Sequence, residues 1–495
     1  MSKQKTVSIE DIKQEIKLHY NETNTDIIDL AFEYAKKAHE GQMRTSGEPY
    51  FNHPIRTAYT LAQWGLDIPT ITAGLLHDVP EDTELTINDI YTEFGKEIAN
   101  LVEGITKLGT IKYRGYRRYA ENIRKMFVAM ASDIRTVFIK FADRIDNLHT
   151  LNVLPLVKQQ RIAKESLEIY SPIAHRLGMG YIRGEIEDLA FPYAYPVAYT
   201  WLEQISQDFI SRQSTLVGQY IKETEKLLKE NEIEYSKIYG RSKRKYSLYR
   251  KLLRPKYNKD INQIYDLVAL RIIIPKTRNC YLVLGLVNNH WPPLPNRIKD
   301  YISQPKPNGY RSLHTTVFSN KGLPIEFQIR TPEMDDFAEY GLAAHWHYKQ
   351  NEESTKNLTK NKKWLKQLAE WQKDIENDRN YIKSLKLDIF MDRIFVFTPK
   401  GDVIDLPEGS TSIDFAYHIH SDIGNQCGGA KINSKLSGLN KPLCSGDIVE
   451  IIINRKRESP SEDWLNVVKT QTAKDKIKSA LRRSQGNFIN RLLNR

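Results

Sequence analysis

Cysteine is scarce in this chain: three in 495 residues (Cys280, Cys427 and Cys444), and none in a CxxC pair. That excludes a disulfide framework and a Cys-rich zinc site, and it predicts a reducing compartment. Apolar runs of signal-peptide or bilayer-spanning length are also missing. A soluble, cytoplasmic protein with no membrane partner is therefore expected. No internal repeat of solenoid length is present, which excludes a repeat architecture.

Positive charge, by contrast, is plentiful. Lys and Arg number 73 against 61 Asp and Glu, a formal net charge of +12. Such a balance predicts polyanionic partners, either nucleotides or nucleic acid, and is silent on fold. Charged residues make up 27% and hydrophobic residues 40% of the chain, which suits several ordinary cores rather than disorder. The length predicts roughly three or four domains.

Residues 1–195 read as all-α. Asp133 caps a helix in which Ile134, Phe138, Phe141, Ile145 and Leu148 recur at spacings of three and four. From about Tyr235 the pattern turns mixed, and residues 196–349 read as an α/β domain with β-rich runs at Asp266–Ile274 and Ile325–Arg330. Residues 350–387 predict a linker helix, with Trp364, Leu365, Leu368 and Trp371 at helical spacing. Residues 388–454 read as a small β module with strands at Phe395–Phe397, Lys431–Asn433 and Ile448–Ile453, and turns at Pro399–Asp402 and Ser445–Asp447. The tail, 455–495, is basic and helical. From residue 454 onward there are 11 Lys/Arg against 4 Asp/Glu.

In the helical half His53, His77, Asp78 and Asp143 stand out. Two imidazoles and two carboxylates suit a divalent ion such as Mn²⁺ or Fe²⁺ with open positions for water and phosphate. Pro80 disfavours helix at Val79, so His77–Asp78 should lie where a helix ends. Asp143 and Asn147 share a helix face one turn apart. Taken singly, each residue has an ordinary alternative: a turn cap for His53, core packing for His77, an ion pair with Arg56 or Arg144 for Asp143. In the order H…HD…D that reading loses ground.

The strings RTSGEPYFNHP (Arg44–Pro54), GLLHDVPEDT (Gly74–Thr83) and FADRIDNLHT (Phe141–Thr150) resemble the HD phosphohydrolases, and more narrowly the hydrolase domain of the RelA/SpoT family. The resemblance implies that His53, His77, Asp78 and Asp143 hold Mn²⁺. It implies that Glu81 and Asp82 help to activate the attacking water, and that Arg44, Asn147 and Thr150 contact the nucleotide. Three departures from the family pattern are visible. Pro80 replaces a non-proline apolar residue, Thr45 replaces a usual Lys, and Asp146 and His149 replace a usual His and Arg.

In the α/β half the run Ile325–Arg330 alternates, placing Glu326, Gln328 and Arg330 on one strand face. Alone, that is a solvated sheet surface. Asp266 offers a second carboxylate, and two carboxylates converging on Mg²⁺ commonly hold a nucleoside triphosphate. Lys299, Lys306, Tyr310 and His314, with the basic–aromatic stretch Gly240–Arg250, suit phosphate pairing and base stacking, or equally an RNA surface. The strings GRSKRKYSLYRKL, IYDLVALR, RIKDYISQPKPNGYRSLHTT and IEFQIRT…AEYGLAAHWHYK are similar to the synthetase domain of the same family. This implies transfer of pyrophosphate from ATP to the 3′-hydroxyl of GDP or GTP. Asp266 would bind Mg²⁺, and Glu326 would bind it or take the hydroxyl proton. Arg241 and Arg271 would sandwich adenine, and Lys243 and Arg250 would meet the ATP phosphates. Tyr310 would stack on guanine, with Lys306, His314 and Gln328 around the acceptor. Lys299 falls in the basic RxKD form of a variable motif, which by resemblance goes with enzymes that also hydrolyse.

The segment DRIFVFTPKGDVIDLPEGSTSIDFAYHIHSDIGNQCGGAKIN resembles a β-grasp TGS domain. The resemblance implies contact with uncharged tRNA on the ribosome, with His418 and His420 near the tRNA 3′ end. The basic tail is either a solvated helix or an added attraction to ribosomal RNA. Long members of the family continue into a Cys-containing and an ACT- or RRM-like domain, whereas this chain ends at Arg495, as a short form or a truncated one.

The expectation is thus a bifunctional (p)ppGpp synthetase and hydrolase whose two sites are active in turn, coupled through residues 175–240. Two other readings remain open: a synthetase with a weak or lost hydrolase, and a ribosome- or tRNA-binding protein.

Overall fold

The computed structural model describes residues 6–20, 24–109, 125–126, 128–130, 132–264, 268–295, 297–306, 308–318, 324–346, 393–444, 446–457 and 459–493. Asp266, Ser445 and the linker helix expected over 350–387 lie outside the described residues. The chain divides into two compact units, Met1–Asp374 and Ile375–Arg495.

The first unit opens with a helical array: α1 (Ile9–His19), α2 (Asp26–Ala38), α3 (Asn52–Gln63), α4 (Ile68–Leu76), α5 (Val79–Asp82), α6 (Ile87–Gly109), α7 (Arg135–His149), α8 (Leu156–Glu165), α9 (Ser171–Arg176) and α10 (Gly180–Ala194). Short polar side chains set several starts. Ser8 and Asp11 form a capping box on α1, and the Asp67 carboxylate accepts from the Thr70 N–H at 3.2 Å. Asp133 Oδ1 accepts from the Arg135 N–H at 2.9 Å, so the anticipated cap sits beside the start of α7. Every residue of α4 from Thr70 to Leu76 is buried. In α7, Val137, Phe138, Phe141, Ala142 and Leu148 are buried as well. A helix enclosed on nearly all sides leaves an ionised group such as Asp143 no solvent, so it must be paired.

Pro80 lies in the first turn of α5, where a missing N–H has no intrahelical partner to lose. His77 and Asp78 form the corner between α4 and α5, as the proline predicts.

The same unit continues with α11 (Pro196–Glu230), β1 (Lys237–Ser242), α12 (Lys245–Leu252), β2 (Val268–Ile273), α13 (Thr277–His290), β3 (Lys299–Asp300), β4 (Leu313–Phe318), β5 (Pro324–Arg330) and α14 (Pro332–Tyr340). The sheet order is β1-β2-β5-β4-β3. Only the β2–β5 pair is parallel among these described strands. Leu270, Ile272, Leu313, Phe327 and Ile329 form one face, packed with Tyr220 and Leu228 of α11, Val283 and Val287 of α13, and Trp291. Trp291 stacks on Phe327 with ring centroids 5.3 Å apart. Removing that phenyl ring would cost about 3–5 kcal/mol. The opposite sheet face is polar.

The helical array touches this α/β part directly. Leu342 N–H donates to Leu177 O at 3.2 Å, Arg244 pairs with Asp188 at 2.6 Å, and Ser247 donates to Glu187 at 3.0 Å. Glycine is required at Gly180, where a Cβ would stand 2.5 Å from Ala338 O.

The second unit contains β6 (Arg393–Phe397), β7 (Val403–Pro407), α15 (Ser412–Ile419), α16 (Ser421–Asn425), β8 (Cys427–Ile432), β9 (Lys435–Ser437), β10 (Val449–Ile453), α17 (Trp464–Val467) and α18 (Gln471–Leu493). A three-stranded sheet, β10-β8-β9, and the β6–β7 hairpin are joined by a parallel bridge from Phe397 to Ile448. Ile394, Val396, Leu406, Phe415, Ile432 and Val449 form the core between strands and α15. The three anticipated strands are present. β7 and β9 are additional, and β8 ends before Asn433, whose φ of 51° makes a turn. The start of the basic tail is packed rather than solvated: Trp464, Val468, Ala473 and Ile477 cover Ile413, Ala416 and Tyr417. Asp414 pins it by accepting from the N–H groups of Lys469 at 2.9 Å and Thr470 at 2.8 Å. Among the described residues no helix is long and apolar enough to cross a membrane.

Candidate metal and nucleotide sites

His53 on α3, the His77–Asp78 corner and Asp143 on α7 converge. His53 Nε2 lies 3.3 Å from Asp143 Oδ1 and 3.5 Å from Asp78 Oδ2. His77 Nε2 lies 3.1 Å from Asp78 Oδ1. His77 Nδ1 is 2.8 Å from Gly74 O, so that nitrogen carries the proton and Nε2 turns a lone pair toward carboxylate oxygen. This Nε2 is buried with no hydrogen-bond partner among the described residues. His53 Nδ1 is likewise engaged, 2.6 Å from Asp146 Oδ2, leaving its Nε2 facing the acids. One imidazole nitrogen each from His53 and His77 and one oxygen of Asp143 all lie within 4.8 Å of one another. Buried nitrogen and oxygen atoms this close need a positive charge among them, a proton on His53 or a metal ion, and this donor set fits a divalent transition metal.

The surrounding charges set the protonation of these groups. Burial pushes the His53 imidazole down, but Asp143 and Asp146 outweigh it and raise its pKa to about 9. Burial holds His77 below its ordinary value. Burial also pushes Asp143 up, yet the Lys140 ammonium, 2.5 Å away, and His53 hold it well below the carboxylate range. The Glu81 carboxyl, within reach of the charges of Lys140, Asp78 and Asp143, is pushed up to about 7 chiefly by loss of water around it. Asp82 accepts from the Tyr50 hydroxyl at 2.6 Å, and the same hydroxyl reaches Asp78 at 3.0 Å.

A cleft of about 300 Å³ opens beside Asp143, lined by Arg44, Thr45, Lys140, Asn147 and Thr150 among others. Arg44 donates to Asn147 at 2.6 Å and to Asp146 at 3.0 Å. The three nucleotide contacts expected in this half therefore share one cleft with a metal-ligand candidate. Sequence reasoning missed Lys140, Tyr50 and the pairing role of Asp146. Tyr50 stands inside the quoted GEPY string and Lys140 directly precedes FADR, so local strings were the available signal.

In the α/β half, strand register decides which residues share a face. Arg241 lies opposite Ala269, and Tyr239 opposite Arg271. Ala269 lies beside Glu326, and Arg271 beside Gln328. His314 lies opposite both Gln328 and Lys299. The polar sheet face thus carries Arg241, Arg271, Glu326, Gln328, His314 and Lys299. Glu326 and Gln328 are half-buried and Lys299 is exposed, so this is not a uniformly solvated surface. Tyr310, His314 and Glu326 form a chain, with Tyr310 Oη 2.7 Å from His314 Nε2 and His314 Nδ1 2.8 Å from Glu326 Oε1. Lys306 lies over the rings of Tyr301 and Tyr310 at 4.6 and 4.8 Å. Burial and the neighbouring Lys299 lower the Lys306 pKa to about 8. Lys243 follows β1 and Arg250 lies on α12, both half-buried.

Glu339 was not anticipated. It accepts from Arg271 at 2.5 Å and stands 3.4 Å from Arg330 and 3.9 Å from Arg241. Asp335 pairs with Arg330, and the Tyr239 hydroxyl donates to it at 3.2 Å. Arg330 is fully buried, and these two acids supply its counter-charge. In the second unit His418 and His420 are exposed at the end of α15, and His420 Nδ1 accepts from the Asp422 N–H at 3.2 Å, capping α16.

Comparison with known proteins follows the same division. An HD domain matches residues 31–180, a region found in RelA / SpoT proteins matches 240–353, and a TGS domain matches 394–453. A guanosine-3′,5′-bis(diphosphate) 3′-pyrophosphohydrolase of Aquifex aeolicus (strain VF5) is 43% identical over 490 residues, covering 98% of this chain and 68% of its own length. The bifunctional (p)ppGpp synthase/hydrolase SpoT of Escherichia coli (strain K12) is 42% identical over 475 residues, covering 96% of this chain and 67% of its own. The crystal structure of small alarmone synthetase 1 from Bacillus subtilis bound to pppGpp is 22% identical, with a TM-score of 0.26 over 34% of this chain and 96% of that one. The chain spans between 55% and 68% of the length of the first several curated relatives it matches. With three domain matches in order and identity above 40% across nearly all its residues, the chain belongs to the RelA/SpoT family.

Proposed function

We propose that this chain both makes and breaks guanosine 3′-pyrophosphates, at two separate sites of its first unit. The observation that carries the degradative half is the buried, unpartnered Nε2 of His77 facing the Asp78 carboxylate beside His53 and Asp143. The synthetic half rests on the register that lines up Arg241, Arg271, Glu326, Gln328, His314 and Lys299 on one sheet face.

In the helical cleft His53, His77, Asp78 and Asp143 would hold Mn²⁺. A divalent ion there supplies Lewis-acid polarisation of the phosphoryl group and acidifies the attacking water. Arg44, Asn147 and Thr150 orient the nucleotide, and Glu81 and Asp82 manage the water's proton. A carboxyl with a pKa of about 7 is suited to that exchange near neutrality. The bond between the 3′ oxygen and phosphorus breaks, releasing pyrophosphate and leaving a 3′-hydroxyl.

On the sheet face Arg241 and Arg271 would flank adenine, Lys243 and Arg250 the ATP phosphates, and Tyr310 the guanine. Asp266 and Glu326 would hold Mg²⁺, which supplies charge neutralisation along the phosphate chain. Glu326, hydrogen-bonded to His314, accepts the 3′-hydroxyl proton as the 3′ oxygen takes the terminal diphosphate and AMP leaves. Lys306, Lys299 and Gln328 position the acceptor nucleotide. The exposed His418 and His420, on a unit with a basic tail, support tRNA contact on the ribosome. Three free cysteines support action in the reducing cytoplasm.

The test is direct: incubate pure protein with labelled ATP and GDP and Mg²⁺, and separately with labelled ppGpp and Mn²⁺. The proposal expects ppGpp from the first mixture and pyrophosphate from the second. A chain that gives neither product, while folded, would sink it.

A further inference from the structure

We propose that Asp146 is a positioning residue that ties the metal-ligating side of the helical cleft to its nucleotide-binding side; the inference rests on the hydrolase reading above. Asp146 is 4% exposed. Its Oδ2 takes the Nδ1 proton of His53 at 2.6 Å and a guanidinium proton of Arg44 at 3.0 Å. Its Oδ1 takes the Nε proton of Arg56 at 2.5 Å. Arg56 is itself anchored by two 2.9 Å bonds to Glu48.

These contacts close a ring. From Asp146 the chain of bonds runs through Arg44 to Asn147, from Asn147 to Asp143, across the 3.3 Å gap to His53 Nε2, and back to Asp146. Two metal-ligand candidates and two nucleotide-contact candidates sit on that one ring.

The chemistry follows from the residue type. A carboxylate on the Nδ1–H of a histidine fixes its tautomer and makes its other nitrogen a better ligand. The second oxygen lets the same group orient two arginines in fork geometry. A histidine at this position would not serve the same purpose. An imidazole offers one acceptor nitrogen and could not receive His53, Arg44 and Arg56 together. In this chain, therefore, metal affinity and nucleotide affinity depend on one shared anion.

The test measures Mn²⁺ binding by titration calorimetry on the whole 495-residue chain without nucleotide, after circular dichroism shows each variant folded. Asp146→Asn should weaken Mn²⁺ binding by about 10–100-fold. At saturating Mn²⁺ it should raise KM for ppGpp more than it lowers kcat. Arg44→Gln should raise KM and leave Mn²⁺ affinity within about twofold, because it touches only one side of the ring. Asp146→His serves as the second variant should Asp146→Asn not fold, and it too should weaken Mn²⁺. Wild-type Mn²⁺ affinity in either folded Asp146 variant would overturn the inference alone. Absence of Mn²⁺ binding by the wild type would overturn the hydrolase reading and this inference with it.

Discussion

The helical cleft closes its charged groups into a buried ring, whereas the sheet face sets them out in a half-buried row. His53, His77, Asp143 and Asp146 are all buried. Across the row Arg271 is buried, Glu326 half-buried and Lys299 exposed. In the cleft each ion is compensated only by its neighbours, so removing one leaves another unpaired in low dielectric. On the sheet face water remains a partner for several groups, so losses there should be more nearly independent.

The largest expected effect tests that contrast at the proposed metal ligands. Asp78→Ala should cut ppGpp hydrolysis by more than about 10³-fold, since several kcal/mol of stabilisation go with the ion, while synthesis persists. Product assays with each substrate check this; equal loss of both activities would point to misfolding. Next comes Glu326→Gln, which should lower synthesis by about 10²–10⁴-fold, the usual weight of a general base. Hydrolysis is expected to be untouched, and a parallel fall in both would break the separation of the sites.

Glu339→Gln sharpens the comparison inside the sheet site. It frees Arg271, Arg330 and Arg241 from their common anion. Charge-assisted bonds of about 1.5–3 kcal/mol predict a rise in KM for ATP of about 10–100-fold. An unchanged KM would show that the arginines hold position without it.

A pH effect follows from Lys306, whose pKa burial and Lys299 lower to about 8. The group is a cation below that value and neutral above it. Acceptor kcat/KM should therefore fall as pH rises through about 8, and Lys306→Arg should remove that alkaline limb. The smallest effect is expected at Pro80. Because it occupies the first turn of α5, Pro80→Val should shift hydrolysis by less than about twofold and stability by under about 1 kcal/mol. A large gain in rate would instead mark the proline as a brake.

Much of this was legible because the informative residues are close in sequence. Pro80 announces the corner that carries His77 and Asp78. The alternation Ile325–Arg330 announces one apolar and one polar strand face, and the burial pattern of β5 follows it as far as Ile329, whereas Arg330 is buried. Strands β7 and β9 escaped notice, being short segments with mixed polar and apolar residues. Asp335 carries no role that the sequence assigns, and Asp146 reads only as a departure from the family pattern. The fold makes the first the counter-ion of buried Arg330 and the second a partner of His53 and Arg44.

By itself the sequence determined the kinds of groups present, their order, and the local turns and periods that aim them, because those depend on residues within a few positions of each other. Partnership over distance was decided by the tertiary structure. Asp146 meets His53 across 93 positions, and Glu339 meets Arg271 across 68. Such pairs arise when helices and strands pack to bury their apolar faces and force the remaining charges together, and no period in the chain encodes which charge will meet which.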